Sequence, residues 1–190
     1  DLELSRNLIA HCRGAAGMGL GIKESGNLQV VENAFLANTT GVYLDSSPLD
    51  PAHSNQFDRN QFRMSETAIS FHSSSKRNEF TSNSLRDNAR QVQVGGGGDA
   101  MSVRWNGNCW DDYRGYDFGG DGIGDVPYEL RSLSGDLVGK HPELTFLRGT
   151  PALGFVDVVG HVLPLFAPRQ LLVDPAPRMA PMTLEWLDAD

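Results

Sequence analysis

The sequence predicts an all-β fold, a right-handed parallel β-helix, closed by an irregular acidic loop and followed by a short helix and an extended arm. Three observations carry this expectation. First, an asparagine recurs at Asn7, Asn33, Asn60, Asn83 and Asn108, at spacings of 26, 27, 23 and 25 residues. Second, an apolar residue stands two positions after each of the first four: Ile9, Phe35, Phe62 and Leu85. Third, a short run later in each repeat places apolar residues two apart, as Leu20/Ile22, Val42/Leu44, Ile69/Phe71 and Val92/Val94. Period-two alternation buries one face of a strand and solvates the other.

Residues 1–110 read as the coils. The stretches from Asn33, Asn60 and Asn83 align without gaps, and the one from Asn7 aligns once four residues are inserted before Gly19. Asn, Ser, Gly and Asp separate the short strands as turn residues, and no stretch before residue 105 has the period of a long amphipathic helix. A repeat of this length with several short strands fits one coil of a solenoid. Stacked coils bring equivalent residues to about 4.8 Å, so the five asparagines become a hydrogen-bonded structural ladder. An antiparallel sandwich whose asparagines mark turns is the alternative. The opening "DLELSRNLIAHCRG" already has the grammar of a repeat interior and lacks a secretory signal. It predicts that the chain is the C-terminal part of a longer solenoid.

Charge and cysteine content narrow the function classes. With 24 acidic against 16 basic side chains the net charge is −8, which disfavours a sequence-independent nucleic-acid binder. No apolar run approaches the roughly 20 residues of a membrane span. Cys12 and Cys109 fall in the first and fifth coils, about four spacings of 4.8 Å apart. That exceeds the roughly 7 Å a disulfide tolerates, so they are expected to be unpaired.

Residues 111–130 read as a loop that closes the helix. In "DFGGDGIGD" the carboxylates of Asp117, Asp121 and Asp125 and the carbonyl of Ile123 have the spacing of a Ca²⁺ loop, with Asp111 or Asp112 folding back to complete the shell. The alternative is a turn whose aspartates cap local N–H groups. Copper would take softer ligands: the His11–Cys12 pair, His72, His141, His161, and Met179 with Met182 as weak Cu(I) candidates.

Residues 131–190 read as a cap and docking arm. "TPALGFVDVVGHVL" predicts a helix from the Thr150–Pro151 cap to Pro164, with Leu153, Val156, Val159, Val162 and Leu163 on one face. From about residue 168 the chain is rich in proline and apolar residues without periodicity. Leu171, Leu172, Met179, Met182 and Trp186 are the candidate partner-binding residues of this arm.

Many solenoids of this kind cleave polysaccharides with carboxylates gathered on one face. Equivalent positions here are Asp45, His72 and Gly95 after the strand, and Asn38, Ser65 and Asn88 at a corner, which is not a paired-carboxylate site. Asp58 and Glu66 remain the carboxylates that an enzyme would have to bring together.

"NCWDDYRGYDFGGDGIGDVPYEL" (108–130), "KHPELTFLRGTPAL" (140–153) and "LLVDPAPRMAPM" (171–182) together resemble the closing signature of the NosD family. Two positions depart from it: Cys109 stands where an aromatic residue is usual, and Gly119 occupies the third loop position. The resemblance implies a non-catalytic periplasmic accessory protein, peripheral to the membrane through its partner. Such a protein serves assembly of the copper–sulfur centres of nitrous oxide reductase. The partners it implies are the membrane and ATPase subunits of an ABC-type transporter and the reductase or a copper chaperone. The cargo it implies is transient copper. A polysaccharide-active β-helix enzyme, a lyase or hydrolase, is the alternative.

Overall fold

A computed structural model describes residues 2–96, 98–132, 155 and 169–187. Each of the first four coils lays one strand on each of three parallel sheets, and the fifth adds a strand to two of them. The first sheet stacks β1 (Leu2–Ser5), β4 (Leu28–Val31), β7 (Asn55–Asp58), β10 (Asn78–Thr81) and β13 (Arg104–Asn106). The second stacks β2 (Leu8–Ala10), β5 (Ala34–Leu36), β8 (Gln61–Arg63), β11 (Ser84–Arg86) and β14 (Cys109–Trp110). The third stacks β3 (Met18–Lys23), β6 (Thr40–Asp45), β9 (Thr67–Phe71) and β12 (Arg90–Val94). All pairings within these sheets are parallel, as the solenoid requires and the sandwich does not. The helix expected over 150–163 lies outside the described residues, apart from Phe155.

Register follows from the alternation. Phe35, Phe62, Leu85 and Trp110 occupy matching positions of the second sheet and are buried. Val30, Phe57, Phe80 and Trp105 do the same in the first. Stacking at one coil spacing sets identical rings face over face: Phe57 and Phe80 lie 4.3 Å apart at 4°, and Phe35 and Phe62 lie 4.9 Å apart at 5°. Parallel strands force this near-sandwich geometry, which isolated rings avoid. Space beside the Phe62 ring is tight, since a Cβ on Gly41 would stand 3.1 Å from its Cδ1 and 2.6 Å from the Ala68 carbonyl oxygen.

Corners are where the sequence grammar acts. Arg6, Glu32, Arg59 and Ser82 each precede a ladder asparagine and each has φ near +55° (55, 56, 49 and 54), while Gly107 before Asn108 has φ 69°. A left-handed conformation costs a non-glycine residue about 1–2 kcal/mol. The ladder offsets that cost. Asn33 Nδ2 donates to Asn60 Oδ1 at 3.1 Å, Asn60 Nδ2 to Asn83 Oδ1 at 3.0 Å, and Asn83 Nδ2 to Asn108 Oδ1 at 2.9 Å. Each Oδ1 also accepts the main-chain N–H of the preceding rung. The second proton of each Nδ2 goes to a carbonyl of the preceding coil, as from Asn60 to Val30 O at 2.8 Å and from Asn83 to Phe57 O at 2.9 Å. Every hydrogen-bonding valence of these buried amides is thereby filled. Asn7 begins the ladder, donating to Asn33 Oδ1 at 3.0 Å.

Two further corners repeat the device. Cys12 N donates to Asn38 Oδ1, Asn38 N to Ser65 Oγ, and Ser65 N to Asn88 Oδ1. At the third corner Leu28 N donates to Asn55 Oδ1, and Asn55 Nδ2 to Asn78 Oδ1.

Replacing Asn60 by Ala leaves the buried Asn33 N–H without its acceptor and removes one donor from the Val30 carbonyl and one from Asn83 Oδ1. The expected loss is on the order of 2–4 kcal/mol, from about 1–3 kcal/mol per orphaned buried group. Urea unfolding should show a lower midpoint at unchanged slope.

Candidate functional site

The closed end of the solenoid gathers the acidic loop, the C-terminal segment and the last rung of the ladder. Among the described residues no sixth coil follows Asn108, and it meets Asp174 instead. One Asp174 oxygen, Oδ2, accepts Asn108 N at 2.9 Å, Asn108 Nδ2 at 2.9 Å and the Trp110 indole N–H at 3.2 Å. The other, Oδ1, accepts Gly107 N at 3.1 Å and Ala176 N at 3.2 Å. Asp174 is fully buried, at 0% exposure, and ends β16 (Arg169–Asp174). That strand pairs antiparallel with β15 (Tyr128–Ser132), and Leu171 O accepts Ala100 N at 2.9 Å. The Tyr128 ring stacks on Trp110 at 4.3 Å and 14°, extending the aromatic column past the last coil. Burial holds the Tyr128 hydroxyl far above its ordinary pKa, and it donates to Asp112 Oδ2 at 3.1 Å.

After β16 the chain turns back along the outside of the second sheet. Arg178 N donates to Asn108 O at 3.0 Å, Met182 N to Ser84 Oγ at 2.9 Å, and Trp186 Nε1 to Glu32 O at 2.9 Å. Gln61 Nε2 donates to Met182 O at 2.9 Å. The segment therefore climbs from the fifth coil to the second as a strap. The arm expected to dock on a partner thus lies along the chain's own coils. Leu171 and Leu172 are buried, as is Leu184, and Trp186 is half-buried against the coils. Small side chains make the strap's bed: Ala34, Ser84 and Cys109 face outward from their strands yet are buried.

The loop aspartates are engaged with main-chain donors. Asp117 accepts Gly120 N at 2.6 Å and Gly122 N at 2.8 Å, Asp121 accepts Ile123 N at 2.9 Å, and Asp125 accepts Phe118 N at 2.6 Å. Ile123 bridges to Arg178, and Gly122 O accepts Met179 N at 3.0 Å. The geometry is that of the capped turn, pinned to the strap. Among the described residues no three His, Cys, Asp or Glu side chains come together to hold a metal. The loop also exposes a patch absent from the expectations: Tyr116 and Phe118 with ring centroids 4.4 Å apart, beside Ile123 and Val126. Phe118 is 82% exposed.

The other expected ligands scatter. His11 is exposed at the first coil and Cys12 is half-buried beside it. His72 Nδ1 meets Tyr43 Oη at 3.0 Å on the third sheet. His141 and His161 lie outside the described residues. Cys12 and Cys109 are both free thiols. Asp58 ends β7 and Glu66 precedes β9, with β8 between them, so they belong to different faces of the coil. Asp58 instead meets Arg59, in the cluster where Arg59 and Arg6 both bind Glu32.

These features define a parallel β-solenoid whose last coil is capped by its own C-terminal strap. A family model described as "Periplasmic copper-binding protein (NosD)" matches residues 1–115, and the chain belongs to that family. Two relatives, from Stutzerimonas stutzeri and Pseudomonas aeruginosa, each carry the name "Probable ABC transporter binding protein NosD". Each is 30% identical over 112 residues, covering 58% of this chain and 26% of that protein. The chain thus matches about a quarter of its relatives' length, and the loop and strap fall largely beyond the family match. No helix among the described residues is long and apolar enough to cross a membrane.

Two substitutions probe this end. Asp174→Asn turns one oxygen into a donor aimed at N–H groups that are already donors. It should cost on the order of 2–4 kcal/mol, judged by the penalty for unsatisfied buried polar groups, with the melting temperature as readout. Asp117→Ala should speed hydrogen exchange at Gly120 and Gly122 while leaving the Phe62 and Leu85 amides protected. Exchange mass spectrometry that found loop and coils loosening together would contradict the separate roles assigned to them.

Proposed function

We propose that this chain is part of a non-catalytic periplasmic accessory protein that works with an ABC-type transporter in assembling the copper–sulfur centres of nitrous oxide reductase. Membership of the NosD family carries the reading, with the relatives' naming as transporter-binding proteins beside it. The solenoid's outer faces support a binding role over catalysis. The carboxylates an enzyme would pair, Asp58 and Glu66, stand on different faces.

The exposed loop aromatics are the docking element in this reading, and the strap is the device that fixes their place. An adjacent Tyr and Phe on a short, internally hydrogen-bonded loop offer rigid apolar area of the kind that dominates interface energies. The partners are the membrane and ATPase subunits of the transporter, which then bring the reductase or a copper chaperone within reach. The aspartates Asp117, Asp121 and Asp125 keep this loop folded, and calcium is an additional ligand of the loop only if titration lowers its hydrogen exchange.

Co-purification with the transporter subunits tests the reading. Phe118→Ser should weaken transporter binding about tenfold or more, as for a residue worth more than 1.4 kcal/mol at an interface, without lowering the melting temperature. Retention of full binding by a Tyr116→Ser/Phe118→Ser double variant would move the docking surface elsewhere.

A further inference from the structure

The corner between the third and first sheets, away from the strap, holds a cleft of about 260 Å³, and we propose that it binds a sugar unit carrying a carboxylate or phosphate. The turn after β6 forms one wall, and the turn after β9, one coil on, forms the other. Among the described residues, five of the ten that line it are serines and none is acidic. Lys76 and Arg77 stand among them, in a chain of net charge −8.

Hydrogen bonds between coils set the walls before any ligand arrives. Buried Asn78 donates from Nδ2 to Ser47 O at 2.8 Å and to Ser75 Oγ at 2.6 Å, tying one turn to the other. Ser47 Oγ accepts Ser25 N at 3.1 Å, and Ser74 Oγ accepts Asp99 N at 2.9 Å, so these two hydroxyls are committed to the fold. The cations are not. Among the described residues Lys76 makes no ion pair, and the Arg77 side chain has only a 3.5 Å bond from Nη2 to Pro48 O. Asp45, Asp50 and Glu79, the acids closest along the chain to the lining, face Lys23, His53 and Arg104 instead.

Each feature of the lining matches one part of such a ligand. Arginine's planar fork takes a carboxylate or phosphate in two parallel bonds, and a neighbouring lysine adds a point charge. Serine hydroxyls both donate and accept, as ring hydroxyls require, and that of Ser73 has no partner among the described residues. Buried Leu44 and Pro48, with Leu49 61% exposed at the rim, offer apolar surface to the C–H face of a ring. A bare oxyanion would use none of it. Clefts for drug-sized ligands begin near about 300 Å³, so this one suits a single ring. It is a binding site and not a hydrolase site, for which paired carboxylates would be needed.

The test needs no transporter, so its outcome is independent of the docking reading. The intact chain, labelled in nitrogen-15, is titrated with glucuronate, glucose 6-phosphate, glucose and inorganic phosphate while the main-chain amide shifts are followed. At least one of the two charged sugars should shift the amides of residues 73–77, binding about tenfold or more tighter than glucose and inorganic phosphate. Lys76→Gln/Arg77→Gln should weaken that sugar about tenfold or more, at an unchanged melting temperature, since both side chains are exposed. Leu49→Ser should weaken the sugar and leave inorganic phosphate unaffected. Glucose binding as tightly as the charged sugars would remove the role of charge, and phosphate binding as tightly would remove the role of the ring. Either result would overturn the proposal, as would no binding by either charged sugar, undiminished affinity in the glutamine pair, or shifts confined to residues outside 44–49 and 73–77.

Discussion

A chain of buried amides that all point the same way must end on an acceptor with no proton of its own to place. That constraint governs this molecule. From Asn7 to Asn108 each Nδ2 donates toward the next coil, so the donor ends of the amide dipoles face the closed end. Another asparagine at the last position would need a further partner in turn. The Asp174 carboxyl oxygens, which accept from Asn108, Trp110 and Gly107, terminate the series, and low local dielectric makes the aligned bonds reinforce one another. Asp174 supplies it from 66 residues downstream of Asn108.

Most of the functional end follows from that one contact. Holding Asp174 under Asn108 places β16 against β15, sets Tyr128 on Trp110, and directs the following residues back along the outer face of the second sheet. The strap can lie there because Ala34, Ser84 and Cys109 are small. Its hydrogen bonds to Gly122 and Pro177's to Gly124 in turn fix the loop that carries Tyr116 and Phe118. The exposed aromatics and the covered thiol are thus two consequences of one anchoring event, one left open to solvent and one beneath the strap.

Solenoid features were legible wherever the repeat itself encoded them. Asn33, Asn60 and Asn83 and the Phe35–Phe62–Leu85 column were readable because stacking makes the same demand on every coil. The corner of Asn55 and Asn78 was missed, although "NQFDRN" and "NEFTSN" carry its signal, an asparagine opening and closing each six-residue stretch. Asp174 was not. "LLVDP" states that a strand ends in an acid, and nothing local says that the acid meets a ladder. The loop was ambiguous for another reason: aspartates and glycines at these spacings serve either a cation or main-chain donors. Which of the two holds depends on where the N–H groups of Gly120, Gly122 and Ile123 point. Leu171 and Leu172, buried here on the chain's own coils, were ambiguous because apolar residues without periodicity look alike whether they cover another protein or their own.

Side-chain amide exchange tests the ladder most directly. With asparagine labelled in nitrogen-15, the Nδ2 protons of Asn60, Asn83 and Asn108 should exchange only on global unfolding, as slowly as the main-chain amides of Phe62 and Leu85. Those of half-exposed Asn7 should exchange much faster. In an Asp174→Ala variant, protection should fall first and furthest at Asn108. Exchange at Asn60 and Asn83 as fast as at Asn7, or an Asp174→Ala protein whose Asn108 protection is unchanged, would contradict the account.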